Sequence, residues 1–370
     1  MLPKKVALIS GVSGQDGFYL AEFLMKNGYT VHGILRRPSP IQGSRINGVG
    51  ASRYEGLENI HTHFGDITDF NTVLSIVEKT QPDEIYNLAA QSHVQVSFDA
   101  PEYTANVDAL GALRFLEAIR ILKLAHKTKF YQASSSELFG TTSISPQSET
   151  TAMEPCSPYG ISKLFAYWAT KNYRQAYGIF AVNGILFNHE SPRRNNSFVT
   201  RKITQTAAEI YAGLTNTLVL GRLDTRRDWG HARDYVEGMW LMLQAHQPED
   251  YVLATGKSTS VRDFVSMTFR KIGRPLEFQG KGLDEVGICR STGQILVRCC
   301  QEQLRPMEID HLVGDSSKAR QKLGWAPKVG VEELCEEMLA YDFELLSRSH
   351  YVSSARREEF KTISTSKSNH

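Results

Sequence analysis

Cysteine is scarce in this chain: Cys156, Cys289, Cys299, Cys300 and Cys335 are the five in 370 residues, and none shows the paired spacing by which thiolates hold zinc. An odd count, without a secretion-type leader, points to reduced thiols and not to a disulfide framework. A long apolar run is missing too. The first such run, Val6 to Ser10, stops at Gly11, too short for a signal core or a membrane span. The expectation is therefore a cytoplasmic protein with no membrane contact. Charge of one sign is also absent: 42 Lys and Arg against 40 Asp and Glu leave a formal +2, which argues against a dedicated nucleic-acid surface. His61 and His63 alternate along an expected strand without partnered ligands nearby, so no metal site is expected. What the chain does have is length, enough for one large α/β domain and a smaller companion.

Its opening is the most regular part. Val6 to Ser10 reads as a buried strand, Gly11-Val12-Ser13-Gly14-Gln15-Asp16-Gly17 as a glycine-rich turn, and Phe18 to Asn27 as an amphipathic helix. Such a turn lets backbone approach a pyrophosphate at the positive end of a helix, so Gly11, Gly14, Gln15, Asp16 and Gly17 are cofactor-binding candidates. The next strand, Thr30 to Leu35, ends in Arg36-Arg37 where an NAD-binding fold carries an acidic residue. Two guanidinium groups there favour a 2′-phosphate, hence NADP. Residues 38 to 52 form a long polar loop, expected to be functional or partly mobile.

Two more strands follow, His61 to Gly65 leading to Asp66-Ile67, and Glu84 to Leu88 leading to Ala89-Ala90-Gln91-Ser92, whose small residues leave room for a cofactor. A long helix from Pro101 to about Leu124 and strands at Phe130 to Ala133 and Phe180 to Phe187 complete an alternation that implies a doubly wound parallel sheet, a Rossmann α/β fold. Beyond Asn188 the pattern is shorter, with helices near Phe198 to Gly213, Arg233 to His246, Val261 to Ile272 and Val331 to Leu346. The expected organisation is a cofactor domain over 1–187 to which later segments can return, a mixed α/β substrate part over 188–346, and a disordered tail over 347–370.

Chemistry concentrates between Phe130 and Lys163. Ser134-Ser135-Ser136-Glu137 stands where a strand would end, at the edge where open α/β sheets bind ligands. Ser157-Pro158 is a helix start, and Tyr159 and Lys163, four apart, share a helical face on which an ammonium and a cofactor cation can lower a phenol pKa towards neutrality. Tyr167 and Lys171 repeat the spacing roughly 12 Å further along, which suits packing better than catalysis.

Taken with Asn188-His189-Glu190-Ser191-Pro192-Arg193-Arg194 and Arg227-Asp228-Trp229-Gly230, these motifs resemble the extended short-chain dehydrogenases/reductases and, within them, the GDP-mannose 4,6-dehydratase family, over roughly Val6 to Leu346. The resemblance implies loss of water from GDP-mannose to give GDP-4-keto-6-deoxymannose, the first step towards GDP-fucose, with NADP used catalytically. It assigns Ser135, Glu137, Tyr159 and Lys163 to catalysis, and Lys163, Asp66, Ile67, Leu88, Ala90, Gln91, Ser92, Tyr103, His189 and Arg194 to the cofactor beside the glycine turn and arginines. Asn188, Val199, Lys202, Arg227, Arg305 and Glu308 would meet the GDP-sugar. It also implies a homodimer or homotetramer, with Arg45 reaching a neighbouring cofactor site. Three positions depart from the pattern: Ser135 replaces a threonine, Arg222 replaces an asparagine, and 299–304 lacks the usual aromatics. The first keeps the hydroxyl, while the others bear on nucleotide-sugar specificity. The alternatives are another nucleotide-sugar epimerase or dehydratase on the same scaffold, or a weakly catalytic NADP-binding scaffold.

Overall fold

A computed structural model describes residues 4–36 and 59–348. Arg37, Arg45 and the loop around them lie outside the described residues, as does the tail beyond Arg348; Ser347 and Arg348, expected in that tail, close the last helix, Val331–Arg348. The described chain divides into two compact units. The first holds residues up to Phe187 together with Ala232–Ala254 and Gly314–Ala326, and the second holds Asn188–His231, Thr255–Val313 and the segment from Pro327.

In the first unit, β1 (Val6–Ser10), β2 (Thr30–Leu35), β3 (His61–Phe64), β4 (Glu84–Asn87), β5 (Lys129–Ser135) and β6 (Ala181–Leu186) lie in the order β6-β5-β4-β1-β2-β3. A seventh strand, Tyr251–Leu253, adds in parallel beyond β6, and every pairing in the sheet is parallel. Three residues carry too little alternation to be read as a strand beforehand. Helices cover both faces, so the central strands are buried on both sides, with polar residues such as Asn87, Gln132 and Asn183 held in hydrogen bonds among the apolar ones, and each fully buried apolar side chain such as Leu8, Ile85 or Phe130 contributes about 1.5–3 kcal/mol. Strand order reverses between β1 and β4, and at such a switch point the carboxyl ends of the strands open a crevice for ligands.

One later segment returns to the first unit, and one expected helix is corrected. The helix expected near Arg233 to His246 runs from Ala232 to Gln244 and packs in the first unit, where Tyr235, Met239 and Met242 join its core. The long helix expected from Pro101 to Leu124 is broken into a short turn of helix, Pro101–Thr104, a π-helical turn, Ala105–Ala109, and a regular helix, Leu110–Ile121. By itself the local sequence favours a helix throughout; the π turn buries Asp108 at 1% exposure.

The second unit has its own core around Ile203, Phe264, Leu334 and Met338. Helices Val199–Ala212, Val261–Lys271 and Val331–Arg348 pack beside a four-stranded sheet ordered Leu276–Gln279, Val286–Cys289, Ile295–Cys299, Leu218–Leu220. Ser260 and Asp263 form a capping box that starts the second of these helices.

Candidate active site

β5 delivers Ser135 to its carboxyl end, where the chain turns into a single 3-10 turn, Ser136–Leu138. Ser135 caps that turn, its Oγ accepting the Glu137 amide at 3.2 Å. A hydroxyl whose lone pair is taken by the main chain keeps its proton available for an incoming oxygen. Glu137 is buried to 9% exposure in the same turn.

The helix Pro158–Tyr177 starts as its sequence predicts, with Ser157 Oγ accepting the Gly160 amide at 3.0 Å, Pro158 in the first turn and left-handed Gly178 at the far end. Gly160 sits against the Glu137 turn: a Cβ there would lie 2.8 Å from the Glu137 carbonyl oxygen. That approach brings Tyr159 beside the end of β5. Lys163, one turn later and 3% exposed, donates to the Ala133 carbonyl at 3.0 Å, with Nζ 5.7 Å from the Tyr159 ring centroid. Burial pushes the Lys163 ammonium below its ordinary pKa, while the Asp108 and Asp16 carboxylates push it back up. Ser135, Glu137, Tyr159 and Lys163 thus belong to one unit and converge on two adjoining chain turns. Tyr167, by contrast, is buried among core residues, and burial and Asp250 raise its phenol pKa, which suits packing.

Asp108 was not anticipated. Its Oδ1 accepts the Gln91 amide at 2.7 Å, its Oδ2 is buried without a protein partner, and burial raises its pKa to about 6 against the opposing pull of Lys163. The only advance signal would have been an acidic residue on the apolar side of an expected helix.

The glycine turn has the shape a dinucleotide needs. Gly11 has φ +73°, and a Cβ on it would lie 2.9 Å from Ala89; a Cβ on Gly17 would lie 2.3 Å from the Gly11 carbonyl oxygen. Gly14 donates to that same oxygen at 2.9 Å and offers no capping side chain to the helix Gln15–Lys26, so the helix start presents main-chain amides to an anion. Gln15 donates to Asp16 at 3.0 Å. Ser10, another residue missed from sequence, accepts the Leu88 and Ala89 amides at 3.1 Å each and shapes the loop bearing Ala90, Gln91 and Ser92. Gln91 turns its side-chain amide to Thr104 and the His93 carbonyl. Arg36 donates to the Tyr103 hydroxyl at 2.6 Å, joining two of the expected cofactor residues. Asp66 accepts from both the amide and the hydroxyl of Thr68 at 2.9 Å, and the Ile67 carbonyl accepts from Arg114. These residues fit a nicotinamide dinucleotide.

The remaining candidates belong to the second unit. His189 and Glu190 form a short parallel bridge with Gly230 and His231, and the Asn188 carbonyl accepts the Gly230 amide at 2.9 Å. Glu190 accepts from Thr200 at 2.6 Å and pairs with Arg194 at 3.1 Å, holding that guanidinium 3.5 Å over the Phe198 ring. Val199 opens its helix, and Lys202, one turn on, donates to Gln303 at 2.8 Å, its pKa lowered by burial. Arg227 and Arg305 share the Glu308 carboxylate at 3.0 and 3.5 Å.

Residues 8–338 match the family model described as GDP-mannose 4,6 dehydratase. The chain is 56% identical over 346 residues to a GDP-mannose 4,6-dehydratase of Sinorhizobium fredii, covering 94% of this chain and 99% of that one. It is 53% identical over 350 residues to the enzyme of the same name from Yersinia enterocolitica, covering 92% and 94%. In fold it is similar to a solved UDP-glucose 4-epimerase of Thermotoga maritima, with a TM-score of 0.75, 22% identity, and 92% and 99% coverage. The chain belongs to the GDP-mannose 4,6-dehydratase family.

Proposed function

From that membership we infer that the chain dehydrates GDP-mannose to GDP-4-keto-6-deoxymannose. The observation that carries the reading is the convergence of a hydroxyl, a carboxylate, a phenol and an ammonium at the end of β5 in a chain of this family. The reaction needs all four. The hydrogen on sugar carbon 5 is too weakly acidic to remove until carbon 4 is a ketone, so oxidation precedes elimination.

A nicotinamide cofactor, which the glycine turn, Arg36 and Lys163 would hold, would supply the redox chemistry as a reversible hydride acceptor for carbons 4 and 6 of the sugar. Tyr159 takes the proton of the 4-hydroxyl, and Ser135 donates a hydrogen bond to that oxygen. Lys163 holds the ribose and sustains the acidity of Tyr159. Glu137 removes the carbon 5 proton and protonates the departing carbon 6 hydroxyl, so that water leaves, and as hydride adds to carbon 6 of the resulting enone the proton that Tyr159 drew from the 4-hydroxyl is returned to carbon 5. Gly11, Gly14 and Gly17 cradle the pyrophosphate, while Arg227, Arg305 and Lys202 provide charge-assisted hydrogen bonds for the GDP diphosphate. His189 and Arg194 are assigned to the cofactor.

NADP is the proposed cofactor, on the strength of Arg36 and Arg37 following β2. The proposed setting is the cytoplasm, at the start of a route towards GDP-fucose; no helix of the described residues is long and apolar enough to cross a membrane. A homo-oligomer is proposed as well, because Ile161, Phe165 and Trp168 lie along one face of the helix Pro158–Tyr177 and are 57%, 46% and 55% exposed. Purified protein given GDP-mannose with NADP or NAD, followed by mass spectrometry, tests the reading. A product lighter by one water, formed faster with NADP, is expected. An epimer of unchanged mass would overturn it.

A further inference from the structure

The segment from Gly221 to Arg227 and the segment from Cys300 to Leu312 run side by side in the second unit. They are joined at one end by the Cys300 amide donating to the Leu220 carbonyl at 2.9 Å, and at the other by the Arg226 amide donating to the Asp310 carbonyl at 2.9 Å. Arg222 sits between those ties. Its Nε and Nη2 donate to the two oxygens of Asp224 at 3.2 and 3.1 Å, and its Nη1 donates to Asp310 at 2.9 Å. All its nitrogens are therefore directed at carboxylates. Arg227 and Arg305, both on these segments, share Glu308.

These two segments carry four arginines, Arg222, Arg226, Arg227 and Arg305, against four carboxylates, Asp224, Glu302, Glu308 and Asp310. Without Arg222 the balance turns negative. A diphosphate approaching Arg227 and Arg305 would then also meet Asp310 without its ion pair and Asp224 with only the weaker pull of Arg262 opposing it.

We propose that Arg222 is a positioning residue for the nucleotide diphosphate, acting through Asp224 and Asp310 by cancelling their charge and not by touching the substrate. The inference rests on the functional reading above, in which Arg227 and Arg305 receive the diphosphate. The side chains of Arg222, Asp224 and Asp310 are 39%, 56% and 73% exposed, so solvent screens the effect and its size is modest.

The test compares the wild-type enzyme, Arg222→Asn and the double variant Arg222→Asn/Asp310→Asn, by calorimetric titration with GDP and steady-state kinetics with GDP-mannose. Arg222→Asn should raise the Kd for GDP and the KM about three- to tenfold, with kcat little changed and the loss shrinking as salt is raised. The double variant, relieved of one acid, should recover most of that loss. A double variant as weak as the single one would mean that Arg222 itself grips the diphosphate, and would overturn the proposal. Unchanged affinity in Arg222→Asn would also overturn it while leaving the functional reading intact. Wild-type protein that bound neither GDP nor GDP-mannose would sink both.

Discussion

The main-chain amide of Gln91 donates to the Asp108 carboxylate at 2.7 Å, tying the loop after β4 to the π turn that faces Lys163's side of the sheet. The pairing keeps a buried acid next to a buried base. With its pKa raised to about 6 from an unfolded value near 3.9, Asp108 contributes stability that is full below about pH 4 and is lost as pH rises through about 6. Asp108→Asn has no such proton to lose. Urea unfolding across this range should show the difference widening in the variant's favour, by on the order of 2 kcal/mol at pH 7.5. The variant should nevertheless be a poorer enzyme, its alkaline limb of kcat moved to lower pH, because burial then depresses Lys163 with less opposition. Parallel stability profiles for the two proteins would remove Asp108 from this role.

A second pH effect is expected at the sheet edge, where His32 Nδ1 and His63 Nε2 lie 2.8 Å apart and the His32 ring stacks on His61. Burial, then His63, His61 and Lys79, lowers the His32 pKa to about 4, and burial and Lys79 lower that of His63. Both fall below the unfolded value of about 6.5, so their contribution is full above that pH and is lost as pH falls towards 4. Thermal unfolding from pH 7.5 to 4.5 should therefore lose Tm less steeply in His32→Gln than in wild type. Equal slopes would place the acid sensitivity elsewhere.

How much could be read in advance follows from how local each signal is. Ser157-Pro158 starts its helix through contacts within four residues and stands where the sequence puts it; the glycine turn needs only its neighbouring strand and helix, and differs from the reading only in that its helix begins at Gln15, three residues before Phe18. Asp108 depends on a π turn in a stretch of ordinary helix formers, and no local preference announces it. The return of Ala232–Ala254 to the first unit is likewise a matter of packing: the amphipathic pattern of that helix shows that one face is buried without naming its partner. Arg222 was legible as a departure from the family pattern, but its two carboxylate partners, one of them 88 residues away, were not.

Assembly should depend on the apolar face of the helix Pro158–Tyr177. Trp168, 55% exposed, lies about two and a half turns from Tyr159, so replacing it need not disturb the catalytic end. Trp168→Glu should shift the mass measured by light scattering at micromolar concentration to that of a single chain, because a charge buried without a partner is strongly unfavourable at an interface. A wild-type protein that is already a fully active monomer would defeat the proposal.

The sharpest expectation separates Glu137 from Tyr159. Glu137 stands two residues beyond Ser135 in a turn that Ser135 itself caps, and Gly160 brings the start of the Tyr159 helix against that turn. In the proposed mechanism the two side chains serve the same sugar at different steps. In Glu137→Gln the amide keeps the shape and hydrogen-bonding capacity but cannot act as a base, so oxidation at carbon 4 should proceed while loss of water slows by roughly 10²-fold or more. Absorbance of reduced cofactor should then build up on the enzyme in a single turnover. Tyr159→Phe should show neither that absorbance nor product, since no hydride leaves carbon 4 before its hydroxyl gives up a proton. Single-turnover absorbance read beside product mass distinguishes the two variants. Wild-type dehydration rates in Glu137→Gln would take the carboxylate out of the mechanism and leave the elimination to another base.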